Sequence, residues 1–281
     1  MDAGDGRPWS PTRFVRFEKS LATSMCTAIV MTDAGRAYLK GLGNPEGHHA
    51  LVCEYVGTHI ARLFGLKTLD AALIEIRPCD EIPLRNGARV GPGRAFVTRE
   101  VEGHISWSGR AEQLAAVENI RDLAKLVVFD TWLRNIDRCP PAGSVRHPNY
   151  DNVLLAPRTG ASGRYSLYAI DHTHCISQGR EIGAWLGGID CVKDEKVYGL
   201  FRQFEKFIAK PMIESVLEEL GSLDRGKFRK VVDSVPVEWA FNFDMREVVY
   251  SFICDRAAYM ADNIIGLLGP RCWPQGGLWE E

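Results

Sequence analysis

The chain has 281 residues, of which 46% are hydrophobic, and 34 Lys and Arg stand against 36 Asp and Glu, a formal net charge of −2. This composition excludes disordered and fibrous proteins, because so many apolar residues can form a large core. The near-zero charge also excludes binding to nucleic acid or anionic lipid through overall charge, so any anion site must be local.

Eight cysteines are scattered through the sequence and form no C-x-x-C pair. Most lie in apolar runs, which is typical of reduced, buried thiols in an intracellular protein. Residues 1–11 are polar and lack an apolar signal core, and no apolar run in the sequence is long enough to span a membrane. We therefore expect a cytoplasmic protein that binds neither membrane nor nucleic acid directly.

The first hundred residues are predicted to be rich in strands. Segments 27–31 and 36–40 flank Asp33-Ala34-Gly35, whose Asp and Gly suit a tight turn. The pattern predicts a β-hairpin that ends at Lys40.

A helix and two strands are predicted to follow the hairpin. Apolar residues recur at near-helical spacing over 50–64, and Gly65 is well placed to end that helix. Segments 71–76 and 94–101 read as strands.

The pattern becomes more helical after the strands. Residues 112–133 predict one long helix, which runs directly into Asn135-Ile136-Asp137-Arg138. After a loop rich in Pro, Gly and His, two short strands are predicted over 152–155 and 166–170, and the second ends at Asp171. From 193 to 268 the sequence predicts only helices, over 197–209, 212–220, 225–232 and 247–268, with Pro211 and Pro236 as breakers.

These elements predict an α+β protein with three parts. Residues 1–12 are expected to be a flexible N-terminus, 13–103 a small strand-rich lobe and 104–281 a larger helical lobe. A cleft between two such lobes is the expected ligand site.

Five residues, in chain order, could carry phosphoryl transfer. That reaction needs a cation for the phosphates, a carboxylate facing the acceptor hydroxyl, and oxygen ligands for Mg²⁺. Lys40 could supply the cation and Glu54 could pair with it. Asp137, Asn152 and Asp171 follow as candidate carboxylate and metal ligands.

Several segments together resemble the HipA-like kinases. The similarity lies in FDTWLRNIDR, YDNVLL and YAIDHTHC, and extends to YLKG, EYVGTHIARLFGL and VPVEW. It implies a two-lobed, protein-kinase-like fold and an ATP- and Mg²⁺-dependent transfer to a hydroxyl, with Ser or Thr of a protein as acceptor.

The resemblance also implies roles for single residues. Asp137 becomes the catalytic carboxylate, Asn152 and Asp171 the Mg²⁺ ligands, and Lys40, supported by Glu54, the phosphate-binding lysine. The ATP-binding residues would come from the loop before the hairpin and from the hinge strand: Ser20, Thr23, Ser24, Lys40, Thr98, Arg99, Glu100 and Val101.

Two departures from the family pattern leave alternatives open. About four residues usually separate the catalytic Asp from the metal Asn, whereas 139–151 intervene here, so Asp151 or Asn149 could replace Asn152 as ligand. The loop over 18–24 has hydroxyls but no glycine, unlike the glycine-rich loop of common protein kinases. In HipA-like kinases a serine of that loop can be autophosphorylated, which implies such a role for Ser20, Thr23 or Ser24.

Other functions remain as alternatives. The acceptor could be a small molecule or a lipid headgroup, or the chain could be a nucleotide-binding pseudokinase controlled by a regulatory partner protein. A zinc site is a weaker alternative, because its five candidate ligands lack the spacing of a zinc motif. Those candidates are Cys139, His147, His172, His174 and Cys175.

Overall fold

A computed structural model describes residues 9–158 and 163–273. The predicted flexible N-terminus therefore lies largely outside the described residues, as does 159–162 of the turn between the two short strands. Contacts between Cα atoms divide the chain into two units. The N-terminal unit contains 9–52, Leu69–Val101 and Pro236–Phe241, and the C-terminal unit contains Cys53–Thr68, Glu102–Val235 and the chain from Asn242.

The N-terminal unit is an antiparallel five-stranded sheet with the order β1-β2-β3-β5-β4. Its strands are β1 Phe14–Ser20, β2 Ala28–Thr32, β3 Gly35–Lys40, β4 Ala71–Ile76 and β5 Gly93–Arg99. The predicted hairpin is confirmed, since Thr32 pairs with Gly35 and Ala28 with Leu39. β1 lies N-terminal to the hairpin, so residues 21–27 form the loop between β1 and β2.

One face of this sheet forms a compact core. Val30, Ala37, Leu39 and Val97 are at most 1% exposed and belong to one apolar cluster. The alternation of buried and half-exposed residues along β3 follows from the two-residue period of a strand.

Helix α1, His48–Leu63, is two residues longer at its start than predicted and ends one residue earlier. Gly65 follows it with φ +71°, as predicted for a residue that ends a helix. Gly57 lies where a second backbone comes close, because a Cβ there would be 2.6 Å from the Cβ of His172. Only glycine allows this part of α1 to pack so tightly.

The C-terminal unit combines helices with a small sheet of order β6-β7-β8. Its strands are β6 Ile105–Ser106, β7 Val153–Pro157 and β8 Tyr165–Ala169. Its further helices are α2 Ala111–Ala115, α3 Arg121–Leu133, α4 Ile189–Val192, α5 Lys210–Gly221, α6 Arg225–Asp233 and α7 Phe243–Cys272. Short 3₁₀ turns occur at Tyr150–Asn152, Ala184–Gly187 and Glu205–Phe207, and a further one, Val237–Trp239, belongs to the N-terminal unit.

The single long helix predicted over 112–133 is wrong, because it is divided into α2 and α3. Residues between them bond to β8: Tyr165 N donates to Ala116 O at 3.0 Å, and Glu118 N donates to Tyr165 O at 3.0 Å. Asn119 also bonds to the backbone of Leu167 through both side-chain groups. These tertiary bonds replace the helical bonds that the apolar spacing predicts.

The helix predicted over 197–209 is also wrong, since only Glu205–Phe207 forms a 3₁₀ turn there. Phe201 and Phe204 instead join a buried aromatic cluster, with ring centroids 4.9 and 5.2 Å from that of Trp107. Aromatic contacts of this kind favour edge and tilted geometries that a regular helix would not present at this site.

The remaining predicted helices are present with shifted ends. Pro211 lies in the first turn of α5, where its missing N–H costs nothing. Asn242 caps α7 by accepting a hydrogen bond from Met245 N at 2.9 Å. No helix among the described residues is both long and apolar enough to cross a membrane.

Candidate active site

Asp137 follows directly after the end of α3 in the C-terminal unit. Arg134 adopts φ +56° and ends the helix, and its backbone N–H still donates to Asp130 O. Asn135 N also donates to Asp130 O, at 2.8 Å, and Asn135 Oδ1 accepts a hydrogen bond from Asp137 N at 3.2 Å. The backbone before Asp137 is therefore fixed by local bonds.

Two asparagine amides orient the Asp137 carboxylate. Nδ2 of Asn152 donates to Asp137 Oδ2 at 2.7 Å, and Nδ2 of Asn149 donates to the same oxygen at 3.1 Å. Oδ1 of Asp137 accepts no hydrogen bond from the described residues, and the residue is half-buried. One carboxylate oxygen is thus held while the other remains available to accept a proton.

The long insertion between Asp137 and Asn152 closes upon itself. Asn149 N donates to Arg138 O at 2.9 Å, so residues 139–148 form an excursion of the chain whose two ends lie next to each other. Without this excursion only Arg138, Asn149, Tyr150 and Asp151 separate Asp137 from Asn152. The four-residue spacing expected of the family is therefore present in space although it is absent from the sequence.

Asp171 lies at the same end of the β7–β8 pair as Asn152. Val153 pairs with Ala169, and Ile170 N donates to Asn152 O at 3.2 Å. Asp171 adopts φ +57°, which is uncommon for a residue with a Cβ and is found at functional sites. Its Oδ1 accepts hydrogen bonds from Thr173 N at 3.3 Å and Thr173 Oγ1 at 2.6 Å.

Arg138 joins the three segments that carry these residues. Its side chain is fully buried and forms an ion pair with Asp130 in α3. Nε donates to Asn152 O at 3.1 Å, and Nη2 donates to Ile170 O at 2.7 Å. The guanidinium therefore fixes the backbones next to both predicted metal ligands, a use of its planar donor geometry that lysine could not reproduce.

Asp130 is the acidic partner of this network. It is fully buried, and this burial raises the pKa of its carboxyl, while the Arg138 guanidinium beside it opposes the rise. Asn135 Nδ2 donates to Asp130 Oδ1, the oxygen that also pairs with Arg138, at 3.2 Å. The ion pair is a structural element behind the site, since Asp130 has no exposed surface.

Glu54 in α1 holds the segment that carries Asp171. It is 3% exposed, and its Oε2 accepts a hydrogen bond from His172 N at 2.7 Å. Thr58 Oγ1 lies 3.2 Å from Nδ1 of His172, one turn further along the helix. The predicted pairing of Glu54 with Lys40 stays a prediction.

The oxygen atoms of Asn152 and Asp171 fit Mg²⁺ as ligands. With Nδ2 of Asn152 donating to Asp137, its Oδ1 accepts no hydrogen bond within the described part of the chain, and the residue is only 5% exposed. Mg²⁺ prefers hard oxygen ligands and is commonly held by one or two protein side chains together with substrate phosphates. The donor set is therefore suitable for that ion.

Lys40 and the hydroxyl loop belong to the N-terminal unit. Lys40 ends β3 opposite Phe96 in β5. Thr23 shapes the β1–β2 loop, because its Oγ1 accepts a hydrogen bond from Thr27 N at 2.9 Å. Ser20 Oγ accepts one from Arg85 N at 3.0 Å, whereas Ser24 is exposed. Thr23 thus shapes the loop and Ser20 forms a bond at the end of β1, while Thr23 and Ser24 are both exposed.

The predicted hinge residues lie in the same unit, with Thr98 and Arg99 as the last two residues of β5 and Glu100 and Val101 directly after it. Arg99 N donates to Asp70 O at 2.7 Å, and Glu100 N donates to Arg36 O at 3.1 Å. These two N–H groups are occupied, so adenine recognition by the backbone would fall to other atoms of Thr98, Arg99, Glu100 and Val101. The Glu100 carboxylate bonds to Arg36 Nη1 at 2.6 and 2.7 Å.

Three candidate zinc ligands have other partners. Cys139 Sγ donates to Leu200 O at 3.3 Å, and Cys175 Sγ donates to Cys53 O at 3.4 Å. His172 packs edge-on against Phe129. Over residues 9–158 and 163–273, no three His, Cys, Asp or Glu side chains are grouped as a metal site would need.

Glu54 and the predicted catalytic and metal-binding residues Asp137, Asn152 and Asp171 thus lie in the C-terminal unit, whereas Lys40 and the other predicted nucleotide-binding residues lie in the N-terminal unit. Sequence reasoning did not find the contribution of Asp130, and it named Asn149 only as an alternative metal ligand and not as a residue that orients Asp137. The Asp-x₇-Arg spacing that joins Asp130 to Arg138 was visible in the motif, but nothing in it marked the pair as buried.

Comparison with known proteins identifies the family. The profile of the HipA-like kinases matches residues 25–261. This chain belongs to the HipA-like kinase family. No curated protein sequence matches this HipA-like kinase.

Two solved structures align with this chain, and the first of them shows the same fold. The structure described as the Helicobacter pylori proinflammatory kinase CtkA aligns with a TM-score of 0.61 and 13% identity, over 89% of this chain and 93% of that one. HipA from the Shewanella oneidensis MR-1 complex with HipB and operator DNA aligns with a TM-score of 0.44 and 9% identity, over 94% of this chain and 67% of that one. The family profile and the CtkA alignment confirm the resemblance, and the CtkA alignment confirms the predicted kinase-like α+β fold.

Proposed function

We propose that this HipA-like kinase transfers the γ-phosphoryl group of ATP to a Ser or Thr hydroxyl of a protein in a Mg²⁺-dependent reaction. The observation that supports this most is the Asn152–Asp137 hydrogen bond across the closed insertion. It joins a candidate metal ligand to a candidate catalytic carboxylate at the spacing that phosphoryl transfer uses.

In this proposal Asp137 acts on the acceptor. Its Oδ1 accepts the hydroxyl proton while the hydroxyl oxygen forms a bond to Pγ and the bond from Pγ to the β–γ bridging oxygen breaks, giving a phosphoester and ADP. Asn149 and Asn152 hold Oδ2 and so fix the direction of Oδ1.

Asn152 and Asp171 would hold Mg²⁺, which supplies positive charge that offsets the phosphate oxygens. Arg138 and Glu54 act through the backbone: the first bonds to Asn152 O and Ile170 O, and the second to His172 N. Lys40 would contribute the phosphate-binding cation. Glu54 is thus a positioning residue.

The test compares nucleotide binding with transfer. Asp137→Ala should bind Mg-ATP like the parent while transfer falls by about 10²–10⁴-fold, because only proton acceptance is lost. Asp171→Ala should lose the Mg²⁺ dependence of ATP binding. Labelled ATP with protein and small-molecule acceptors measures transfer, and calorimetry measures binding.

Asp151→Ala provides the control for the metal ligand. Asp151 is exposed and next to Asn152, so its removal should change neither quantity, whereas Asn152→Ala should impair both. An inactive Asp151 variant beside a normal Asn152 variant would move the ligand by one position. If Mg-ATP binds and no acceptor is ever labelled, the chain is a nucleotide-binding pseudokinase, and label found only on small molecules would replace the protein acceptor.

A further inference from the structure

The ten-residue excursion 139–148 has a fixed base beside Asp137. Gly199 N donates to Cys139 O at 2.8 Å, and the buried Cys139 thiol donates to Leu200 O. At the other end Asn149 bonds to Arg138 through its backbone and to Asp137 through its side chain. The first end of the excursion is thus anchored to residues 199 and 200, and the second end to Arg138 and Asp137.

The tip of the excursion has a defined turn. Ser144 N donates to Pro141 O at 3.1 Å, and Arg146 N donates to Ser144 Oγ at 3.1 Å. Gly143 adopts φ +81°, which the turn requires. Prolines at 140, 141 and 148 restrict the backbone further. A loop that is ordered before binding loses less entropy when it contacts a partner.

The turn presents an apolar and two basic side chains in succession. Val145 is 96% exposed, the highest value for a large hydrophobic residue in the described part of the chain, and Arg146 and His147 are also exposed. No acidic residue occurs in 139–150. The tip therefore offers local positive charge beside an apolar contact, on a protein whose overall charge is near zero.

The length of the excursion limits how far its tip can lie from Asp137. Five residues of extended chain span at most about 17 Å, so the middle of the ten-residue excursion is no further than that from its base. An extended acceptor segment covers the same distance with about five residues on either side of its hydroxyl.

We propose that residues 139–148 form an acceptor-docking loop that binds a protein segment carrying Asp or Glu, next to an apolar residue, within about five positions of the phosphorylated Ser or Thr. This inference rests on the proposed protein-kinase function. Arg146 and His147 contact the acidic side chains, and Val145 contacts the apolar one. The exposed Val145 favours a protein segment over a phosphate backbone, which would offer it no apolar partner.

The experiment uses a Ser/Thr peptide library in which one flanking position at a time is fixed, with Mg-ATP and the full chain. The parent should prefer Asp or Glu at one or more positions within five residues of the acceptor. Arg146→Glu with His147→Glu should raise KM for the preferred acidic peptide by about tenfold, since the attraction by Arg146 is lost and two like-charge contacts replace it, while kcat stays within twofold. The same variant should gain activity on peptides with Lys at that position.

Lys227→Glu is the matched control, because it reverses an exposed charge on α6. It should keep the parent's KM and selectivity. Added salt should raise KM for the acidic peptide with the parent and lower it with the Arg146 and His147 double variant, because screening weakens the attraction in the first and the repulsion in the second.

An unchanged acidic preference in the double variant would overturn the docking loop, as would a parent without acidic preference. A parent that hydrolyses ATP but labels no peptide would also overturn it, while leaving ATP-dependent catalysis in place. A parent that neither binds nor hydrolyses ATP would instead overturn the proposed function itself.

Discussion

Two arginines in different regions of the molecule each bond to several partners. Arg138, in the C-terminal unit, is fully buried and contacts Asp130 and two backbone carbonyls. Arg36, on the five-stranded sheet, has a side chain that is 39% exposed and pairs with Glu18 and Glu100 at 2.7 and 2.6 Å. The two guanidiniums have similar geometry and opposite access to solvent.

The difference indicates which of the two contributes to a rigid site. An exposed ion pair is screened by water and contributes about 0–1 kcal/mol. A buried pair has lost its hydration, so removing one partner leaves an uncompensated charge at a cost of about 3–5 kcal/mol. We therefore expect Arg138 to be essential for the active-site backbone, and Arg36 to affect mainly the local sheet edge.

Arg138→Met should have the largest effect on stability. It leaves the Asp130 carboxylate buried without its cation, so we expect the free energy of unfolding to fall by about 3–5 kcal/mol. Urea unfolding followed by circular dichroism measures this change. Transfer should also fall, because Asn152 O and Ile170 O lose their donor.

A second variant separates the buried charge from the lost contacts. Asp130→Asn combined with Arg138→Met should be less destabilised than the sum of the two single variants, since no buried charge remains. Its transfer activity should nevertheless stay low. A cost below about 1 kcal/mol for Arg138→Met would show that the site does not depend on this network.

Arg256 provides a third case for the comparison. Its side chain is buried, and no carboxylate among the described residues bonds to it. Its guanidinium donates to five carbonyls, including Thr131 O at 2.6 Å and Trp132 O at 2.8 Å at the end of α3. Burial lowers its pKa to about 10, so it is still charged at neutral pH.

Arg256→Met should reduce stability by about 2–3 kcal/mol, less than Arg138→Met. The substitution leaves carbonyls unsatisfied and removes a favourable charge from a helix C-terminus, but it leaves no charge buried. Urea unfolding again measures the loss. A loss larger than that of Arg138→Met would contradict the importance given to the stranded Asp130 charge.

Glu54→Gln tests the positioning of Asp171 with a smaller expected effect. The amide oxygen can still accept from His172 N, but this bond loses its charge assistance, which is worth about 1 kcal/mol. We expect kcat to fall several-fold while the melting temperature stays within about 4 °C of that of the parent. Asp151→Asn serves as a carboxamide control on the surface. Normal kcat together with a lower melting temperature would make Glu54 purely structural.

The sequence was sufficient to predict elements that depend on local chemistry. The turn at Asp33-Ala34-Gly35 predicted the β2–β3 hairpin, and Gly65 predicted the end of α1, because both depend on neighbouring residues. The order of Asp137, Asn152 and Asp171 along the chain was also visible. Their roles stay predictions that the geometry supports.

Tertiary bonds account for what could not be predicted. The break between α2 and α3 depends on bonds from 116–119 to β8, and the irregular 197–209 depends on rings that meet Trp107. The Asn149–Arg138 bond closes an insertion that spacing alone presents as a departure from the family. No local pattern encodes these contacts, because each partner lies ten or more residues away.

Arg36→Met has the smallest expected effect on stability and gives the most direct test of the exposed network. Its partners can be hydrated once it is removed, so the free energy of unfolding should change little, and still less at high salt. The consequence for nucleotide binding is separate, because Arg36 holds the Glu100 carboxylate while its carbonyl accepts a hydrogen bond from Glu100 N. If 98–101 binds adenine as predicted, the freed Glu100 side chain should raise KM for ATP several-fold with kcat unchanged. Arg89→Met, which removes the exposed pair with Glu81, should leave KM unchanged. Equal KM values for both variants and the parent would place adenine recognition away from this segment.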